Sequence, residues 1–181
     1  MFKYVFINKQ VGIEVLKKKD VFLFISTLDI SEEDISILIP IYDHLKKTGS
    51  QYKIVWIPVV EEWTDKLREK FDSLKLNMPW YVLHHFAPIK GIKYIKEEWH
   101  FNQNPFVVVL SPQGKILHQN AFHMIQVWGV KGFPYTEDKE KLLILESMWV
   151  ESLLVDIDPK IKWVSILLVT NLFKTFNIIL I

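Results

Sequence analysis

The side chains able to carry acid–base or metal chemistry in this sequence are six histidines and twenty-one acidic residues, because no cysteine occurs among its 181 residues. That absence removes a thiol nucleophile, a redox dithiol, a thiolate zinc site and any disulfide framework. His84 and His85 are neighbours. On a strand, successive side chains point to opposite faces, so the pair does not chelate one ion. His100, His118 and His123 lie close in sequence, and the last two flank an expected strand-to-helix turn where they converge. A zinc centre needs three or four protein ligands. No Asp or Glu accompanies these histidines at helical spacing, so they read as surface or half-buried residues and no metal site is expected.

The acids group differently. Asp29, Glu32, Glu33 and Asp34 open the stretch "DISEEDISILIP". A calcium loop of the helix–loop–helix type requires alternating acids, a central Gly and a terminal Glu over about twelve residues. This stretch has neither the Gly nor the Glu, and it reads as a helix start whose carboxylates match the helix dipole. Asp156 and Asp158 sit in "VDIDP", a helix end. "GVKGF" (129–133) lacks both the spacing and the preceding strand of a phosphate loop. No serine sits in a nucleophile elbow. The residues therefore point to no catalytic site, no cofactor and no small-molecule substrate.

The elements that position these groups follow from periodicity. "VGIEVLKKKD" is a short leading element. "VFLFIS" (21–26) and "YKIVWIPVV" (52–60) are continuous apolar runs, the pattern of strands buried on both faces. Between them, Ser31 is an N-cap followed by acids, and Ile35, Leu38, Ile39, Tyr42 and Leu45 form a helical stripe that Gly49 ends. Pro40 inside that stripe predicts a kink. A second amphipathic helix is expected over 61–77, a short strand in "MPWYVLHHF" (78–86) and a third helix over 89–101. "FVVVL", the turn "SPQG" and a second strand predict a hairpin, followed by a helix from about Asn120 and the longest helix over 136–157. The order implies a mixed α/β sheet with helices on both faces.

Composition bounds the rest. The chain is 50% hydrophobic, enough for a sizeable core and against disorder. A net charge of +1 supplies no global attraction to nucleic acid or to an anionic membrane. Lys17-Lys18-Lys19 reads as a solvated turn. The tryptophans fall on core stripes without interleaved basic residues, so no base-stacking platform is expected. "MFKYVFINKQ" does not read as a signal peptide, and a cytoplasmic location is expected. Residues 164–181, "VSILLVTNLFKTFNIILI", sit at the lower length limit of a membrane span. Lys174 inside it costs about 2.5–3.5 kcal/mol at a span's centre, so the tail is read as an atypical apolar end and a membrane role as unexpected.

Two stretches resemble the thioredoxin-like fold of tryparedoxins and nucleoredoxins: "MPWYVLHHF" and the hairpin "NPFVVVLSPQGKIL", which follows the proline beside the redox site in that group. In those enzymes the cysteine pair follows the strand equivalent to "VFLFIS"; here that place reads "STLDISEED". A broader resemblance runs in order from Val11 to Val164 through "VGIEVLKKKDVFLFISTLDIS", "YKIVWIPVV", "IKEEWHFNQNPFVVVLSPQGKI", "NAFHMIQVWGVKGFPYT" and "LLVDIDPKIKWV". These blocks are similar to the plant sieve element occlusion family, which includes the forisome subunits.

The resemblance implies a thioredoxin-like mixed sheet over 1–163. It implies a non-enzymatic phloem protein of sieve elements, involved in phloem development. Such a protein self-assembles with related subunits into filaments that plug sieve plates after wounding, with calcium responsiveness in some members. Edge strands and aromatics such as Trp80, Trp99 or Trp128 are then the expected subunit contacts. The alternative is a redox-inactive adaptor that docks a peptide beside Pro105. A cis Asn104–Pro105 bond and an open groove there would favour it.

Overall fold

The structure, a computed structural model, describes residues 3–6, 9–84 and 91–157. The chain forms two compact units, Met1–Thr136 and Glu137–Ile181. The second is represented by one helix, α6 (Glu137–Ile157), with Glu137, Asp138 and Glu140 in its first turn, where the helix dipole favours them. Among the described residues no helix is long and apolar enough to cross a membrane. The apolar tail 164–181 and Asp158 lie outside the described residues.

The first unit is a mixed sheet of seven strands. They are β1 (Lys3–Phe6), β2 (Lys9–Val11), β3 (Val21–Ser26), β4 (Lys53–Pro58), β5 (Tyr81–His84), β6 (Phe106–Leu110) and β7 (Ile116–His118), in the spatial order β2-β1-β5-β4-β3-β6-β7. β3, β4 and β5 run parallel, and Phe22 lies opposite Ile54 and Phe24 opposite Trp56. β6 pairs antiparallel with β3, and β1 with β5. The central strands are buried on both faces, as their continuous apolar runs require. Leu23 and Ile25 pack with Val108, Phe106, Val59 and Ile95 of α4 (Ile92–Glu97). On the other face Trp56 stacks on Phe71 of α3 (Asp65–Leu74) at 5.4 Å, and Phe24 on Phe122 of α5 (Phe122–Trp128) at 6.0 Å. Each such aromatic contributes about 1.5–3 kcal/mol by burial. Helices therefore cover both faces.

Three expectations change in detail. The helix after β3 is not one kinked rod. It is α1 (Glu32–Ser36) and then α2 (Ile39–Lys47), with Pro40 in the first turn of α2. A proline has no N–H for the helical ladder and clashes one turn back. The chain breaks ahead of it, so Pro40 occupies a first-turn site where no N–H partner is required. The helix expected over 61–77 starts later, because Thr64 caps it by accepting from the Leu67 amide at 3.3 Å, and its last turn, Lys75–Asn77, tightens to a 3₁₀ helix. The β1–β2 hairpin was not expected, since strands of four and three residues are too short to show a period.

Two glycines are required by their turns. Gly49 (φ +63°) ends α2, and Ser50 N–H donates to the Leu45 carbonyl at 3.0 Å, the bond pattern of a left-handed helix cap. Gly114 (φ +79°) closes the hairpin turn, where the Ser111 hydroxyl accepts from the amides of Gln113 and Lys115.

Candidate functional site

Two ends of the parallel strands hold the groups that bear on function. At the C-terminal end of β3, Ser26 is buried and fully engaged: its hydroxyl donates to the Thr27 carbonyl and accepts from the Trp56 indole, both at 2.9 Å. It is not a free nucleophile. The segment then turns through Thr27 to Ser31. Asp29 N–H donates to Thr27 Oγ1 at 3.2 Å, and the Asp29 carboxylate pairs with Lys70. Ser31 caps α1, accepting from the Asp34 amide at 3.0 Å and donating to the Asp34 carboxylate at 2.9 Å. The acids Glu32, Glu33 and Asp34 occupy the first turn, as the sequence implies. Nearby, a cleft of about 410 Å³ is lined by Thr27, Val59, Glu61, Lys96 and Gln103. The Lys96–Glu61 ion pair belongs to this cleft and holds the Glu61 carboxyl below its usual range. The Asn104–Pro105 bond beside it is not cis; the cis bond among the described residues is Phe133–Pro134.

The histidines divide. His118 is buried at the end of β7, and its Nδ1 accepts from the Asn120 amide at 3.0 Å. Its ring lies 6.0 Å from that of His123, so these two do converge across the strand-to-helix turn. His100 stands apart on the loop after α4, at φ +52°, and is exposed. His84 ends β5, and His85 lies outside the described residues. Among the described residues no group of three or more His, Asp or Glu is placed to hold a metal ion. Asp156 falls within α6.

At the opposite, N-terminal end of the same strands lies a pocket of about 450 Å³. Lys19, Lys46 and Lys53 line it together with Tyr42, Tyr52 and Trp80. Lys19 bonds to the Gln51 side-chain oxygen. Lys46 and Lys53 carry no ion pair among the described residues. Among the described residues the Trp80 indole N–H is buried with no acceptor, as is that of Trp99 beside Phe106. Burial raises the Tyr42 and Tyr52 hydroxyls above the usual tyrosine range, with added push from Asp43 and Asp20 respectively, so both stay neutral donors at physiological pH. Trp80 is one of the three aromatics that the sequence offers as subunit contacts. It is 1% exposed, packed edge-on against Phe24 and Tyr42. Trp99 and Trp128 are half-buried. Sequence reasoning did not find this pocket. Its lining comes from a strand start, a helix end and two loops, and the one local signal was the lysine-rich close of α2.

No protein-family model matches the chain. Among curated proteins it is 35% identical over 151 residues to Protein SIEVE ELEMENT OCCLUSION A of Arabidopsis thaliana, covering 82% of this chain and 18% of that protein. It is 34% identical over 164 residues to Protein SIEVE ELEMENT OCCLUSION B of the same plant, covering 82% and 22%. The chain belongs to the sieve element occlusion family. It spans about a fifth of the length of these relatives. A weaker similarity, 30% over 116 residues, links this sieve element occlusion segment to the Probable nucleoredoxin 1 of Arabidopsis thaliana, covering 64% of the chain and 19% of that protein. Among solved structures, native tryparedoxin I from Crithidia fasciculata superposes with a TM-score of 0.61 at 17% identity, covering 75% of this chain and 92% of that one. Tryparedoxin I from Leishmania major gives 0.60 at 16%, with the same coverage. At that identity the match shows the fold, which is thioredoxin-like.

Proposed function

We propose that this segment is a structural, non-enzymatic module of a phloem protein that assembles with related subunits to occlude sieve elements. The supporting observation is the turn that follows β3. Where thioredoxin-like enzymes hold their thiols, this chain places Ser26 to Asp34, with Ser26 and Ser31 held in local hydrogen bonds and carboxylates filling the first turn of α1. A reactive thiolate is favoured by positive surroundings, and a first turn of three acids supplies the reverse. A fold hosts many functions, so this turn and the family, not the thioredoxin-like scaffold, support the reading. Filament and plug formation after wounding, a location in the sieve-element cytoplasm and calcium sensitivity belong to this proposal. The adaptor alternative has an open cleft in its favour but lacks the cis Asn104–Pro105 bond.

The test is light scattering of the 181-residue chain across concentration, with and without calcium. Reversible growth with concentration supports the assembly reading. A monomer under every condition overturns it for this segment.

A further inference from the structure

The two ends of the parallel strands carry opposite, unused charge. At one end Glu32 and Glu33 are exposed and form no ion pair among the described residues. At the other, Lys46 and Lys53 are equally unpaired and line the pocket that holds the orphaned Trp80 indole. Local counter-charges do not erase this. Asp29 is matched by Lys70, Glu61 by Lys96 and Asp65 by Arg68 at the acidic end, and Lys17 by Glu14 at the basic end. Asp20 and Asp43 stand near the pocket's tyrosines. Six residues of β3 separate the ends by about 20 Å, so Glu32 and Glu33 of one copy do not reach the pocket of the same copy.

We infer that the acidic start of α1 in one copy of this chain docks into the Lys46–Lys53 pocket of the next, a deepening of the assembly reading above. The carboxylates of Glu32 and Glu33 meet the two lysines. Such a contact joins unlike surfaces. It does not close on itself unless a rotation makes a ring, so it propagates as an open chain.

Charge reversal in the 181-residue chain tests it by sedimentation velocity. Lys46→Glu with Lys53→Glu, and separately Glu32→Lys with Glu33→Lys, are each expected to weaken self-association about tenfold or more, because like charges then face each other. Mixing the two variants in equal amounts should restore it, and sodium chloride should weaken the wild type. Circular dichroism checks the fold. If the double lysine variant unfolds, Lys46→Glu alone, on the exposed side of α2, replaces it. Wild-type association that ignores both reversals overturns this contact and leaves the assembly reading standing. A wild-type chain that never associates overturns both. In ¹⁵N-labelled protein the Trp80 indole signal should move on mixing the variants. If instead it moves only when inorganic phosphate is added to the Glu32→Lys, Glu33→Lys variant, the pocket serves a free anion and the docking proposal fails.

Discussion

Trp56 and Trp80 are both buried against the sheet, yet the two ends of the sheet treat their indoles in opposite ways. At the C-terminal end Trp56 donates to Ser26, and the Ser26, Thr27 and Ser31 hydroxyl oxygens and the Asp29 and Asp34 amides are held in local hydrogen bonds. At the N-terminal end, among the described residues, Trp80 has no acceptor and the side chains of the lysines around it have no partner beyond Gln51. An enzyme of this fold would be expected to keep its unspent groups after β3. In this chain the turn after β3 is tied in local hydrogen bonds, while Glu32 and Glu33 stay unpaired there and the Trp99 indole beside Phe106 lacks an acceptor among the described residues, as Trp80 does at the other end. Buried donors without acceptors carry a desolvation cost of about 1–3 kcal/mol, which the Trp80 indole bears and the Trp56 indole does not.

The comparison is broken most directly through Ser26. Ser26→Ala strands the Trp56 N–H in the core and is expected to destabilise the chain by about 1–3 kcal/mol in urea unfolding. A paired substitution sharpens the point. Trp56→Phe and Trp80→Phe remove similar ring volume, but the first breaks a made hydrogen bond and the second deletes an unmade one. Trp56→Phe should therefore cost about 1–2 kcal/mol more than Trp80→Phe; equal costs would mean that the two ends are energetically alike. Ser31→Ala removes the α1 cap and should cost about 1 kcal/mol, readable as a lower urea midpoint without a change in slope.

The smallest effect concerns Asp20. Burial raises its carboxyl pKa, partly offset by a backbone hydrogen bond. The folded chain then holds this proton more tightly than the unfolded one, so the contribution is fully present below the ordinary aspartate range and is lost as pH rises through the raised value. Asp20→Asn should flatten that loss, raising the urea midpoint slightly near neutral pH and leaving it unchanged in acid.

Much of the fold was legible from local pattern. "VFLFIS", "YKIVWIPVV" and "FVVVL" read as buried strands because a two-sided strand needs an unbroken apolar run, and they are β3, β4 and β6. The Ser31 cap and the "SPQG" turn were equally readable, since each bond spans four residues or fewer. The β1–β2 hairpin and the break before Pro40 were not. The first is too short for a period, and in the second a proline can bend a helix or start a new one, with neighbouring packing making the choice. The convergence of His118 and His123 was legible as a turn across five residues. The burial of Trp80 was not, because its cover comes from Phe24 and Tyr42, far away in the chain.

By itself the sequence determined the chemistry available to this protein. A chain without cysteine carries no thiol of its own, and three acids in one helical turn follow from residue order alone. It also determined the central strands, because hydrophobic periodicity is a local property. Only the tertiary structure decided that Lys19, Lys46 and Lys53 share a pocket with Trp80, and that the acidic turn stands at the far end of the same strand. Parallel pairing of β3 with β4 brings the residues just before each strand together, and no local pattern encodes which strand starts will become neighbours.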